Sequence, residues 1–337
     1  MKIASAFKKH IWADVRQGNF RRPWHFIAAN IRYRFLGYPY AALIETGTYC
    51  NLRCPTCPTP ADKIGRGKML MSLDSFKKVI DNIKDAVHIA MLYFTNEPLL
   101  NPDIFLMVKC AHQNNLYTEI STNAVLLTKE KTKELFESGL DRIIIDLDGT
   151  TKDSYEQFRV GAKFENVLEN VTYFCRQKQT LKLKKPFVEL QFVLNKLNQN
   201  EVEDVKVLAR KLKVDRLCIR SFGLGKYAYS EEARQTLADK FLPDDPKYQR
   251  NIRYKKTKGE LNIKNSPTVC PLAKSHLVVL ADGRIAMCCY DLRGEYIYGN
   301  VFKRTLKDIW FDPENKKKRK MAENKKYPLC KTCSIYE

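Results

Sequence analysis

The sequence predicts an α/β fold: a partial (β/α)6, TIM-like barrel followed by a small C-terminal module of β-hairpin and helix. Three observations predict it. From residue 41 onward, apolar strands alternate six times with segments that are apolar at helical spacing, and such alternation builds a parallel sheet with right-handed crossovers. Six units are too few to close an eight-stranded barrel. After residue 269 the pattern changes to short alternating segments around an Asp282-Gly283 turn, with five cysteines, which suits a hairpin.

The strands are expected near Ala41–Glu45, Ile89–Phe94, Tyr117–Ser121, Arg142–Asp146, Phe187–Leu194 and Arg216–Ile219. Helices fit between them at Ser72–Ile83, Asp103–Gln113, Lys129–Glu137, Phe164–Arg176 and Glu201–Lys211, as with Phe76, Val79, Ile80 and Ile83 on one face. Gly139 stands where a helix should stop. The chain divides into a basic extension (1–40), the barrel (41–223), a linker or cover (224–268) and a cysteine module (269–337). In the cover, glycines, prolines and charges interrupt the pattern, with a short helix near Ser230–Ala238.

The extension holds eight Lys or Arg and one acid, Asp14, interleaved with aromatics such as Phe7, Trp12, Phe20, Trp24, Tyr33 and Phe35. Ala4–Val15 and Trp24–Phe35 can be helical. Such a segment suits a cap under the barrel, with its basic side in water. The alternative is peripheral contact with an anionic membrane. The whole chain of 337 residues carries a net charge of +21. A lysine-rich solvated surface explains most of that charge. The run Lys316-Lys317-Lys318-Arg319-Lys320 reads as a solvated helix face, so no nucleic acid is expected. No run of eighteen apolar residues and no secretory signal is read. Eleven cysteines without a secretory signal point to metal binding in a reducing cytoplasm.

The first strand runs into Cys50-Asn51-Leu52-Arg53-Cys54-Pro55-Thr56-Cys57, with C-x3-C-x2-C spacing. Pro55 and Pro58 keep this loop from becoming helix. Three thiolates on one loop suit an iron–sulfur cubane, and three ligands leave one of its irons open. Three zinc ligands or ordinary thiols are the other readings; zinc would need a fourth ligand, and only His88 follows within fifty residues. Cys110, Cys175 and Cys218 lie in apolar patterns and read as small buried hydrophobes. The five histidines show no ligand spacing.

The cysteine loop resembles the radical S-adenosylmethionine (SAM) superfamily. The polar clusters after the next strands are similar to that family's motifs too. They are Thr95-Asn96-Glu97-Pro98, Ser121-Thr122-Asn123, and Asp146-Leu147-Asp148-Gly149 followed by Tyr155, Phe158, Arg159 and Gly161. Thr95 and Asn96 replace two family glycines, and Thr56 replaces an aromatic or large apolar residue before the third cysteine. The resemblance implies that Cys50, Cys54 and Cys57 hold a catalytic 4Fe–4S cluster whose open iron chelates SAM. It implies that Glu97 pairs with the SAM ammonium, and that Ser121, Asn123, Asp146 and Arg159 hold its ribose and carboxylate. Leu194, at the end of the fifth strand, is a candidate adenine wall. One-electron cleavage of SAM then releases a 5′-deoxyadenosyl radical that takes hydrogen from substrate.

Cys270, Cys288, Cys330 and Cys333, with the C-x12-G-x4-C pattern and a later C-x2-C, resemble the SPASM domain of the same superfamily in its shortened, Twitch-like form. The resemblance implies a second, fully ligated auxiliary 4Fe–4S cluster; a zinc ribbon has similar spacing. Cys289 could substitute for Cys288, but the G-x4-C count favours Cys288. A reductant such as flavodoxin or ferredoxin is implied as partner. The arrangement is most similar to cyclitol-oxidising members, so the expected reaction is dehydrogenation of a sugar or cyclitol. Radical modification of a peptide or protein side chain is the alternative, and a non-catalytic zinc or nucleic-acid-binding protein is a distant one.

Overall fold

The computed structural model describes residues 11, 14–15, 18, 20–60, 64–224, 229–257, 260–264 and 267–333. The Ala4–Val15 expectation falls almost wholly outside them. Among the described residues, nine strands form one sheet in the order β11-β10-β9-β1-β2-β3-β4-β5-β6. The barrel strands are β1 (Ala41–Ile44), β2 (Ile89–Met91), β3 (Tyr117–Thr122), β4 (Arg142–Asp146), β5 (Phe187–Leu194) and β6 (Arg216–Ser221). Each is parallel to its neighbour. The sheet has two free ends, β6 and β11, so the barrel is partial, as expected.

Between the strands lie α2 (Leu73–Ile83), α3 (Ile104–Gln113), α4 (Lys129–Glu137), α5 (Lys152–Phe158), α6 (Phe164–Thr180) and α7 (Val202–Leu212). They follow α1 (Arg21–Leu36), which precedes the barrel. Side chains of Ser72, Thr128 and Thr151 cap α2, α4 and α5 by accepting from the backbone amide three residues on. The short helix α5 is additional to the five expected, its seven residues being too few to show a helical period in the sequence.

Strand side chains alternate between two cores. Ala42, Ile44, Ala90, Ile120, Ile143, Ile145, Val188, Leu190, Phe192 and Leu194 face the helices. Ala41, Leu43, Ile89, Met91 and Tyr117 face the barrel lumen. Higher in the lumen the chain is charged. Arg142 bridges Glu119 and Glu189, Arg216 also reaches Glu189, and Tyr93 donates to Glu119 at 2.6 Å. These buried charges are tolerable because each has a partner. The base is plugged by Arg22 of α1, which grips Asp141 and donates to the Leu116 carbonyl at 2.9 Å. Gly37, at φ +72° in the left-handed region, ends α1.

The cover contains α8 (Glu231–Phe241) and an antiparallel pair, β7 (Tyr254–Thr257) and β8 (Glu260–Ile263). That ribbon was not expected. Its Tyr254 and Leu261 pack with Ala238 and Phe241 onto Phe158 and Phe222 at the barrel mouth.

The C-terminal module starts with α9 (Pro271–Ser275) and continues through β9 (His276–Val279), β10 (Arg284–Ala286) and β11 (Ile297–Asn300) to α10 (Leu306–Phe311) and α11 (Pro313–Glu323). The expected hairpin around Asp282-Gly283 is β9–β10. The unexpected feature is that β9 lies parallel beside β1, with Ala41 opposite His276 and Ile44 opposite Val279. The module thus extends the barrel sheet. The basic run lies on α11, which docks through Arg319 over the Trp310 ring at 3.9 Å and Asn315 on the Tyr298 carbonyl at 2.7 Å. No helix among the described residues is long and apolar enough to cross a membrane.

Candidate active site

At the carboxyl ends of β1 to β6 lies a cavity of about 360 Å³. Cys50, Cys54 and Cys57 line it, with Glu97, Ser121, Asn123, Asp146 and Arg159. Eight of the nine residues expected at this site are therefore together. The strand-end rule explains why: each side chain follows a parallel strand, and parallel strands share one mouth.

Leu194 is the exception. It is fully buried among the helices, and Val193 lines the cavity instead. The reason is the two-residue alternation of a strand. Glu189 and Gln191 point inward, so Val193 does too and Leu194 points away.

The loops interlock through short hydrogen bonds. The Tyr49 carbonyl accepts from the Glu97 amide at 3.1 Å. The Glu97 carboxylate accepts from Thr122 Oγ1 at 2.7 Å, the Asn123 amide at 2.9 Å and the Leu99 amide at 3.1 Å. Asn123 Nδ2 donates to Asn51 Oδ1 at 2.9 Å and to Cys50 Sγ at 3.6 Å. The Arg53 amide donates to the Val160 carbonyl at 2.8 Å. Gly149 allows the close crossing of the β4 loop over α5; a Cβ there would stand 2.6 Å from Ser154 Oγ.

Burial pushes the Glu97 carboxyl up to about 7, against the pull of its three donors. Burial, with Asp148 adding to it, pushes Asp146 up to about 6, while Arg159 pulls the other way. Asp146 also accepts from Gln191 Nε2 at 2.7 Å. Arg159 is already engaged: its Nε and one terminal nitrogen lie 2.6 and 2.5 Å from Asp148 Oδ2. Its contact with Asp146 is longer, 3.9 Å. The fork expected for a carboxylate ligand is thus largely taken by Asp148, a residue of the same motif for which the sequence implies no role of its own. Tyr93, Phe94 and Phe222, which no motif of the sequence marks, also line the cavity, with Phe158 of the run after β4. They supply the aromatic surface that Thr56 lacks. Val193 was readable by parity; Phe222 carried no signal, because it lies in a loop beyond β6.

All eleven cysteines are free thiols. Burial pushes Cys50 up to about 12, and Cys54 is raised for the same reason, though Arg159 opposes it. As bare thiols they stay protonated at neutral pH, whereas a bound metal takes the place of the protons. Among the described residues no group of three or more His, Cys, Asp or Glu converges closely enough to hold a single metal ion. One thiolate per iron asks for no such convergence. Soft donors on a loop with no fourth protein ligand among the described residues fit a cubane with one open iron.

In the C-terminal module, Cys270 Sγ accepts from the Ala273 amide at 3.3 Å and so caps α9. Cys330 lies within one 3-10 turn, Pro328–Thr332, and Cys333 caps its C-terminal end. Burial first, then Cys289 and Cys333, push the Cys288 thiol up, while the amides of Tyr290 and Asp291 donate toward it. Burial and the nearby Cys333 and Cys270 push Cys289 up to about 12. Cys330 is raised by burial and by Cys270. The four expected ligands and Cys289 are therefore one electrostatic neighbourhood. Amide donors on a cysteine sulfur favour its thiolate, so the site suits a cluster held by four sulfurs.

These residues have the makings of a SAM-cleaving, cluster-bearing enzyme, and residues 44–219 match the Radical SAM superfamily. The chain belongs to that superfamily. Residues 270–334 match SPASM, an iron–sulfur cluster-binding domain. SAM and two iron–sulfur clusters are its cofactors. The chain is 25% identical over 315 residues to the tungsten-containing aldehyde ferredoxin oxidoreductase cofactor-modifying protein of Pyrococcus furiosus, covering 87% of this chain and 86% of that one. It is 28% identical over 181 residues to the PqqA peptide cyclase of Bradyrhizobium diazoefficiens, covering 54% of this chain and 46% of that one. The chain thus spans about half the length of that cyclase. The fold is similar to that of Streptococcus suis SuiB bound to S-adenosylmethionine, with TM-score 0.61 and 16% identity, covering 98% of this chain and 84% of that one.

Proposed function

We propose that this enzyme removes hydrogen from a peptide or protein side chain, and that the modified residue leaves in an oxidised or cross-linked form. When bound, SAM and the clusters supply a 5′-deoxyadenosyl radical and a one-electron acceptor. Cys50, Cys54 and Cys57 hold the SAM-binding cluster; Cys270, Cys288, Cys330 and Cys333 hold the auxiliary one. Glu97 orients the SAM ammonium, and Ser121 and Asn123 hold its hydroxyl and carboxylate oxygens. Arg159, neutralised by Asp148, keeps the β4 loop closed on the cysteine loop. The cover, through Phe158 and Phe222, excludes water from the radical. The expected setting is a reducing cytoplasm, which preserves the clusters.

The observation that carries the reading is the sheet end. β6 is the last strand, and Ser221, Phe222 and Gly223 lead from it into the cavity. An edge strand running into a site can receive an extended peptide by main-chain pairing. The cavity's charges add support. Among the described residues of the lining, Glu97, Asp146 and Asp148 face one guanidinium, that of Arg159, and no second cation stands ready for a phosphorylated sugar. The similarity to a PqqA peptide cyclase points the same way. The cyclitol oxidation expected from the sequence has less support.

A cofactor-sized small molecule is the second reading, carried by the nearly full-length match to the cofactor-modifying relative. One assay separates them. Reduced, reconstituted enzyme is given SAM with peptides, cyclitols or cofactor precursors in turn. Peptide-accelerated release of 5′-deoxyadenosine, with loss of hydrogen mass from the peptide, is the expected result. Acceleration by a cyclitol or a cofactor precursor, with peptides inert, would overturn it.

A further inference from the structure

We infer that α1 is a membrane-docking helix that seats the base of the barrel on an anionic lipid surface, with the active-site mouth turned to the water. The observation is a division of the helix into two faces. Arg22, Pro23 and Ala29 are buried against the barrel, and Arg22 is locked on Asp141. Phe26 lies edge-on to His88 at 4.6 Å. That anchorage fixes the rotation of the helix. The outward side then carries Phe20, Trp24, Ile27, Ile31 and Phe35, which are 56%, 67%, 45%, 51% and 78% exposed; Ile27, Ile31 and Phe35 also border the groove between the helix and the barrel base. Their spacing of three or four residues makes one continuous apolar stripe along four turns. Solvated surface helices do not present such a stripe without a partner.

Charge selects the partner. Arg21 and Arg34 are exposed on the same helix, and Arg32 is half-buried. No acidic residue occurs between Asp14 and Glu45. A second copy would bring the same guanidiniums against these, within a chain of net charge +21, and like charges repel. An anionic leaflet offers the opposite charge, with hydrocarbon to receive Trp24, Ile27 and Ile31. No described helix can span a bilayer, so the contact is peripheral.

Position completes the argument. An apolar groove of about 540 Å³ runs between α1 and Tyr40, Ala41, Ile89 and His276, the amino ends of their strands. The cysteine loop lies at the carboxyl ends of the same sheet. Docking by α1 therefore leaves the substrate entrance unobstructed.

The test is flotation of the full-length, cluster-loaded enzyme with vesicles. It should float with phosphatidylcholine–phosphatidylglycerol vesicles and remain behind with phosphatidylcholine alone. Ile27→Asp with Ile31→Asp should lower the floated fraction about tenfold, because both side chains would carry charge into hydrocarbon. Arg21→Gln with Arg34→Gln should weaken flotation and its salt dependence while keeping the stripe. Iron content and 5′-deoxyadenosine release without lipid serve as folding controls. If the Asp pair misfolds, Trp24→Ala with Phe35→Ala replaces it. Wild-type protein that stays soluble with anionic vesicles would overturn the inference. So would equal flotation of the stripe variants, or a wild-type dimer in light scattering that those variants dissolve without changing flotation.

Discussion

The guanidinium of Arg66 meets the carboxylate of Glu45 edge to edge, with terminal nitrogens 2.6 and 2.5 Å from the two oxygens. Both side chains are buried. Glu45 follows β1 and leads to the cysteine loop, while Arg66 Nε donates to the Leu292 carbonyl at 2.8 Å. Glu45 also accepts from the Ala281 amide at 3.0 Å and from Thr95. One ion pair thus ties the first strand, the loop after β2 and the C-terminal module together.

Glu45→Gln should destabilise the protein by about 3 kcal/mol, because it strands a buried guanidinium. Replacing both residues, Glu45→Leu with Arg66→Met, should recover much of that loss. Denaturant midpoints of the two variants measure it; equal loss in both would refute the coupling.

The two cysteine sets should be separable by iron analysis. Wild-type protein reconstituted without air should hold about eight iron atoms, and Cys54→Ala or Cys330→Ala about four. SAM cleavage should vanish in Cys54→Ala. In Cys330→Ala, cleavage of SAM should persist while oxidised product is lost.

With Glu97 proposed as the partner of the SAM ammonium, SAM affinity should depend on pH. Burial raises this carboxyl to about 7. Below that value it is protonated and cannot pair; above it the carboxylate is present. Affinity should therefore rise by about tenfold from pH 6 to 8 and then level off. Glu97→Gln should bind more weakly, with a flat profile. The same shift acts against the SAM-free fold: a carboxyl raised by burial favours folding below its ordinary range and loses that contribution as pH climbs through 7. Titration by equilibrium dialysis follows the first effect, and unfolding curves the second.

Leu194 and Val193 should differ in kind. Leu194→Ala opens a void among the helices and should cost about 2–5 kcal/mol in stability, with SAM affinity unchanged once folding is allowed for. Val193→Ala alters the cavity wall, so SAM or substrate affinity should fall with little stability loss. Paired melting and binding measurements decide between them.

Much of this was legible in the sequence because it is local. Strand–helix alternation is written in the spacing of residues such as Phe76, Val79 and Ile80, and a parallel sheet gathers whatever follows its strands. Cys50, Glu97, Asn123 and Asp146 needed no long-range information beyond that rule. Leu194 ends its strand near the site yet faces the helices, because two-residue alternation from Glu189 turns Val193 inward and Leu194 away. Other features were not legible because they are pairings between distant segments. Nothing near Arg66 announces Glu45, nothing near Arg159 tells how far Asp148 occupies it, and nothing in β9 says that it will lie beside β1. The short ribbon β7–β8 and helix α5 carry too few residues for a period to emerge.

The parallel seating of β9 against β1 also has a bearing on how the protein is made. Until the far end of the chain leaves the ribosome, Ala41–Ile44 has an uncovered flank of main-chain amides and carbonyls. A nascent barrel is then most at risk of sticking to its neighbours. Shortened versions that stop at the cover should be insoluble even where every residue of the SAM site is intact, since what they lack is a lateral partner for their earliest strand.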